Sequence, residues 1–230
     1  MDQLLTVFRT EKKYEIPVEI EYALAGRLRA IMQEDEHNGL DGYMVRSLYF
    51  DSIYDKDYFD KVDGLEYRKK LRLRIYSTDN PVVKLEIKEK RGTAQLKSSL
   101  IISKELAEQL IAGNCEPLLN LKDPVAKRTY LLMKENLYRP SCIVEYQRKA
   151  FVHFANDTRI TVDKNIRTSM NFKDFFNQSL AFQPVFTDPV LEVKYNGFLF
   201  SYLRSAVNLA NLTEQSVSKY ELSRKALHDR

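Results

Sequence analysis

Charged and apolar residues alternate along most of this chain with a period of two. From Glu66 to Tyr76, Arg68, Lys70, Arg72 and Arg74 share one parity, while Leu71, Leu73 and Ile75 share the other. Successive side chains of a strand point to opposite faces, so the spacing predicts a β-strand with one cationic side. The run from Pro81 to Lys90 repeats the pattern, with Lys84, Glu86, Lys88 and Lys90 opposite Val83, Leu85 and Ile87. Near the start, Arg9, Glu11, Lys13 and Glu15 stand against Phe8, Tyr14 and Ile16. Arg159, Thr161 and Asp163 likewise oppose Ile160 and Val162, and Glu192 and Lys194 oppose Leu191, Val193 and Tyr195. The run from Cys142 to Phe151 is less regular: Glu145 and Lys149 fall on one parity, Tyr146 and Arg148 on the other.

Between these runs the period changes to that of a helix. Pro17 suits the first helical position, and Val18, Tyr22, Ala25, Leu28 and Met32 follow at helical spacing. Ser103 reads as the N-cap of a helix that stops at Gly113, and a third helix is expected from Asp123 through Lys134. A fourth is expected from Phe198, with Tyr202, Leu203, Ala206, Leu209 and Ala210 on its apolar side. These elements predict an α+β fold in which an antiparallel sheet of about eight strands closes into a β-barrel, with helices packed outside. If the apolar parity faces the helices, the charged parity lines the interior as a basic tunnel. Such a lining is stable only when filled by water, anions and metal ions.

Composition changes this picture little. A chain of 230 residues without a Pro/Gly/Ser-rich linker reads as one domain over residues 1–230. The net charge of +4, from 36 Lys plus Arg against 32 Asp plus Glu, is too mild to predict nucleic-acid binding by bulk charge. The aromatic residues are expected in strands and core, not as a base-stacking platform. Cys115 and Cys142 read as inert thiols of a reducing compartment, and no apolar run approaches the ~20 residues that cross a bilayer, so a cytoplasmic protein is expected. His37, His153 and His228 lack metal-binding spacing. The glycines sit singly at turns, and no Gly-rich loop of the kind that cradles anions is present.

Like charges along one strand face repel unless an anion lies among them, and the repetition across strands points to a polyanionic guest. A solvated outer face would explain any one strand alone. The segments RTEKKY, RSLYFDS, RKKLRLRIY, LEIKEK, VEYQRKAF, RITVD and VLEVKYNG, in this order, resemble the catalytic domain of vacuolar transporter chaperone (VTC) polyphosphate polymerases. That domain is one of the triphosphate tunnel metalloenzymes, related to the CYTH proteins. The resemblance implies that Lys13, Arg72, Arg74, Lys88, Lys97, Arg148 and Arg159 contact phosphate oxygens and that Lys219 receives the terminal phosphate at the tunnel mouth. Arg9, Lys70 and Lys194 share the charged faces and, with Tyr146 and Ser218, complete the expected substrate-binding set. Glu192 matches the family's metal-ligand glutamate for Mn²⁺ or Mg²⁺, while Glu86 and Glu11 are expected either at the metal or in ion pairs with neighbouring cations.

The activity so implied is metal-dependent phosphoryl transfer from ATP to form polyphosphate. Hydrolysis of a triphosphate, or polyphosphate and nucleotide binding without turnover, would need the same lining. CYTH enzymes begin with an alternating Glu-x-Glu-x-Lys signature; here Arg9, Glu11 and Lys13 occupy those positions, which suits the polymerase branch. Larger VTC proteins add an SPX domain and membrane helices, so any membrane contact is expected to be peripheral and through a separate partner.

Overall fold

The computed structural model of the chain describes residues 9–92, 94–208 and 211–228. In chain order the elements are β1 (Arg9–Glu15), α1 (Val18–Ile31), β2 (Gln33–Glu34), β3 (Tyr43–Asp51), α2 (Lys56–Val62), β4 (Tyr67–Ile75), β5 (Val83–Arg91) and β6 (Ala94–Ile102). They continue with α3 (Lys104–Ile111), α4 (Pro124–Glu135), β7 (Arg139–His153), β8 (Thr158–Ser169), β9 (Gln183–Phe186), β10 (Val190–Asn196), α5 (Ser201–Ala206) and α6 (Lys219–His228). Among the described residues, no helix is long and apolar enough to cross a membrane.

The strands follow the order β1-β10-β8-β7-β3-β4-β5-β6, with β2 on β7 and β9 on β8. The α+β class stands, but the closed barrel of about eight strands does not: this is an open antiparallel sheet of ten. Closure would require β1 and β6, at the two ends of the order, to exchange backbone hydrogen bonds. Instead the outer edge of β1 is taken by an irregular segment: Tyr14 bridges Glu214, and Gln215 donates its N–H to the Lys13 carbonyl at 2.8 Å.

The described residues form two compact units. The first is drawn from the described residues of 9–44, 146–166 and 186–218, the second from those of 45–145, 167–185 and 219–228. In the first unit the apolar parity of β1, β8 and β10 (Tyr14, Ile160, Val162, Leu191, Val193) packs with Leu24, Ala25 and Leu28 of α1 and Leu203 of α5. The charged parity is thereby assigned to the other sheet face. The inward stripe of α1 differs from the expected one, because Val18 is 52% and Tyr22 is 89% exposed. Pro17 is the N-cap, one position earlier than anticipated. The fourth helix is shorter than its pattern suggested, with Leu203 buried and Tyr202 exposed. Phe8, Leu209 and Ala210 lie outside the described residues.

In the second unit, Leu48, Phe50, Leu71, Leu73, Ile75, Val83, Leu85 and Ile87 are buried, α2 packs on β4 and α4 on β6. The caps match their sequence signals: Ser103 accepts from the Leu106 N–H, and Asp123 accepts from the Val125 N–H ahead of Pro124. The irregular alternation in β7 falls where the strand passes from one unit to the other, after Glu145. Glu145 serves Arg46 and Arg167 in the second unit, while Arg148 serves Asp163 in the first.

Gly42, in the first unit, has φ +90°, and a Cβ there would meet the Arg148 carbonyl oxygen at 2.3 Å. Gly42→Ala is expected to destabilise the protein by about 2 kcal/mol or more, since both the left-handed backbone and the neighbouring strand resist it. Urea unfolding measures this, and an unchanged midpoint would mean that the turn relaxes freely.

Candidate functional site: two charged strand faces

The second unit carries the stronger anomaly. On one face of β4, β5 and β6 the register aligns Lys70 with Lys88 and Lys88 with Lys97, so three lysines lie in one row. The next row runs from Tyr49 through Arg72 and Glu86 to Ser99, and the one after from Ser47 through Arg74 and Lys84 to Ile101. Arg68 faces Lys90 at the other end. Within these three strands Glu86 is the carboxylate on this face, and it is fully buried.

Glu86 organises its neighbours. Arg72 donates Nε to it at 2.7 Å, Arg74 Nε lies 3.8 Å away, and the Lys97 ammonium contacts its other oxygen. Burial alone would raise the carboxyl, but Arg72, Arg74 and Lys97 outweigh it and lower Glu86 to about 2. Arg74 also donates to Ser47 Oγ at 3.1 Å, and Lys84 lies over the Tyr76 ring at 5.2 Å. One carboxylate thus faces three close cations, with Lys70, Lys84 and Lys88 adjoining. The guanidinium forks of Arg72 and Arg74 are of a kind that suits phosphate oxygens.

The first unit is balanced. In the register Lys13 opposes Glu192, Glu11 opposes Lys194, and Glu192 opposes Thr161. Lys13 Nζ lies 3.2 Å from Glu11 and donates to the Val217 carbonyl at 3.1 Å, while Lys194 contacts Glu192 and stands 4.0 Å from Glu11. Arg148 makes a two-pronged bridge to Asp163 at 2.7 and 2.8 Å and lies over Tyr146. Burial would lower the Lys13 ammonium, but the Glu192 and Glu11 carboxylates raise it above its ordinary value. Arg159 donates to Asp35 at 2.8 Å and to the Tyr43 hydroxyl at 3.1 Å.

The structure therefore gathers Arg72, Arg74, Lys70, Lys88, Lys97 and Glu86 in the second unit, and Lys13, Arg148, Lys194, Glu11 and Glu192 in the first. Tyr146 adjoins Arg148, and Arg159, two residues before Thr161 on β8 and opposite Lys194, is engaged by Asp35 and Tyr43. Ser218 is buried and Lys219 is the first residue of α6. Arg9 opposes Asn196 in the register, and its side chain lies outside what the structure describes. Sequence reasoning gave no role to Lys84, although it shares the parity of Lys88, nor to Asp163 as the anchor of Arg148. Tyr220 left no signal at all, because it reaches β3 from a helix far along the chain.

Among the described residues, no group of three or more His, Cys, Asp or Glu side chains is arranged to hold a metal. The oxygen donors present are Glu192, Glu11 and the buried Thr161 Oγ1, which has no hydrogen-bond partner among the described residues. This hard, incomplete set fits a Mn²⁺ or Mg²⁺ that completes its shell with phosphate oxygens and water. Both free cysteines are buried, and burial pushes the Cys142 thiol up to about 12, so neither is a thiolate nucleophile.

The VTC domain model matches residues 8–228. No curated protein matches the chain in sequence. Solved structures resemble it in fold at low identity. A candidate adenylyl cyclase from Hippeastrum with a dominant triphosphatase activity is 13% identical, with a TM-score of 0.57 over 94% of this chain and 95% of that one. A candidate adenylate cyclase from Bacillus halodurans is 12% identical, with a TM-score of 0.51 over 90% and 92%.

Because the folded value of Glu86 is about 2, below its ordinary 4.5, its ion pairs stabilise the fold above pH 4.5. That contribution is expected to fall away as the pH drops from about 4.5 towards 2. Comparing acid unfolding of the wild type and Glu86→Gln checks it: the variant should be less stable at neutral pH, and the difference should shrink across that window. A constant difference would remove Glu86 as the origin.

Proposed function

The chain belongs to the VTC domain family, and on that premise we propose that it is a metal-dependent phosphotransferase that builds inorganic polyphosphate from ATP. The observation that carries the reading is the concentration of Arg72, Arg74, Lys97 and the neighbouring lysines around one buried carboxylate, Glu86. Arg72 and Arg74 bind triphosphate oxygens through their forks, while Lys70, Lys88 and Lys97 act as point charges along which a chain can slide. Lys13, Arg148 and Arg159, each held by a carboxylate in its own unit, release part of their charge to phosphate. Lys219 receives the terminal phosphate.

Glu192 and Glu11 would hold Mn²⁺ or Mg²⁺, which when bound neutralises charge on the phosphoryl oxygens. Phosphoryl transfer needs little covalent chemistry from the protein. Placement of the reacting groups and stabilisation of spread negative charge supply most of the rate, which suits a site with no activated nucleophile among the described residues. Hydrolysis of a triphosphate is the second reading, supported by the dominant triphosphatase activity of the Hippeastrum relative.

Incubating the protein with ATP and Mn²⁺ and following products by ³¹P NMR tests the proposal. Polyphosphate signals support it, orthophosphate or pyrophosphate alone supports the hydrolase, and bound but unchanged ATP supports a binding module. Arg72→Ala and Arg74→Ala are each expected to cost roughly 1.5–3 kcal/mol of triphosphate affinity, as one charge-assisted contact is lost. Calorimetric titration with a non-hydrolysable ATP analogue reads this, and unchanged affinity in both variants would place the site elsewhere. Glu192→Gln is expected to abolish turnover and the thermal stabilisation by Mn²⁺ while keeping triphosphate affinity without metal. A fully active variant would remove Glu192 as a metal ligand.

A further inference from the structure

We propose that Tyr49 and Tyr220 form a stacked platform that positions Arg72 and Lys70 for anion binding, which makes the C-terminal helix α6 a working part of the second unit's cationic face. The inference rests on the phosphate-binding reading above.

The two rings lie 4.9 Å apart between centroids and are tilted by 35°. Each carries a cation: the Arg72 guanidinium is 5.8 Å from the Tyr49 centroid, and the Lys70 ammonium is 5.3 Å from that of Tyr220. Arg72 also donates through Nη1 to the Tyr49 hydroxyl at 3.2 Å.

The charge pattern explains why rings are useful here. Lys70 opposes Lys88 in the register, so repulsion and a flexible stem both drive its ammonium away from the row. The face of an aromatic ring attracts a cation through its quadrupole. Glu86 holds Arg72 through its charge, and Tyr49 and Tyr220 hold Arg72 and Lys70 through their ring faces.

The platform is anchored from below. The Tyr220 hydroxyl donates to Asp51, a carboxylate that also accepts the N–H groups of Ser52, Asp57 and Tyr58. Burial and the Asp51 charge raise the Tyr220 hydroxyl above its ordinary value, so it stays a neutral donor. Tyr58 packs edge-on against Tyr220, and one turn later Arg224 bridges Asp55 at 2.9 Å and contacts Ser141. Tyr220 is thus immobile and Lys70 rests on a fixed surface.

The test uses the 230-residue chain and inorganic triphosphate without metal, titrated calorimetrically. Tyr220→Leu and Tyr49→Leu are each expected to weaken binding by roughly tenfold. Tyr220→Phe, which keeps the ring and loses the Asp51 bond, is expected to bind within about twofold of wild type while melting at a lower temperature. Met133→Ala, a buried change in α4, is expected to lower the melting temperature without changing affinity. If one leucine variant fails to fold, the other decides, since the rings come from different elements. The inference is overturned if the foldable leucine variants bind like wild type, if Tyr220→Phe loses as much as Tyr220→Leu, or if Met133→Ala loses as much as either. A wild-type protein that fails to bind triphosphate overturns the proposed function together with this inference; wild-type binding with undiminished leucine variants overturns the inference alone.

Discussion

Repulsion among like charges on one sheet face is the constraint around which the second unit is built. Lys70, Lys88 and Lys97 share a row, and Arg72, Arg74 and Lys84 adjoin it. A strand pair alone gains at most about 1 kcal/mol from a favourable cross-strand contact, so several unfavourable ones require compensation. Glu86 provides it at the centre, fully buried and ionised, and the aromatic faces of Tyr49, Tyr220 and Tyr76 provide it at the periphery. The apolar faces of the same strands supply the burial that keeps these charges in place. The result is a row of cations held in place by one buried carboxylate and by aromatic rings.

The first unit meets the same difficulty with the opposite solution. Lys13, Lys194 and Arg148 each have a carboxylate at hand in Glu11, Glu192 and Asp163, so that cluster is close to neutral. Burying an ion pair repays its desolvation only when the remaining lone pairs are satisfied. The orphaned Thr161 Oγ1 beside Glu192 marks the place where the network is incomplete. The two faces therefore differ in kind: in the second unit several cations gather at Glu86, while in the first each of these cations has a carboxylate beside it.

Much of this was legible in the sequence because strand periodicity maps parity directly onto faces. The parities of β1, β4, β5 and β10 name most of the charged residues of both clusters, and the caps at Ser103 and Asp123 start the helices where they were expected. Helix α1 was misread because Val18 and Tyr22 fit the helical spacing as well as Leu24 does; only packing against β8 and β10 selects the stripe that is buried. Closure of the sheet was misjudged for a related reason. Alternation shows that a strand has two faces and says nothing of what lies along its edges, and here a short segment at Glu214–Gln215 occupies the edge of β1.

The sequence by itself determined the residue types, their faces and the family, since each depends on local periodicity and on motif order along the chain. Tertiary structure decided the pairings: that Glu86 takes Arg72 and Lys97, that Arg159 takes Asp35, and that Tyr220 comes back from the C-terminal helix to lie beside Tyr49. Those contacts join residues far apart in sequence, and their strength depends on burial, on register and on which opposite charge arrives first within a few ångströms. None of these quantities is encoded by the spacing of one strand, because a Coulomb interaction is set by distance and dielectric in the folded chain and not by separation along it.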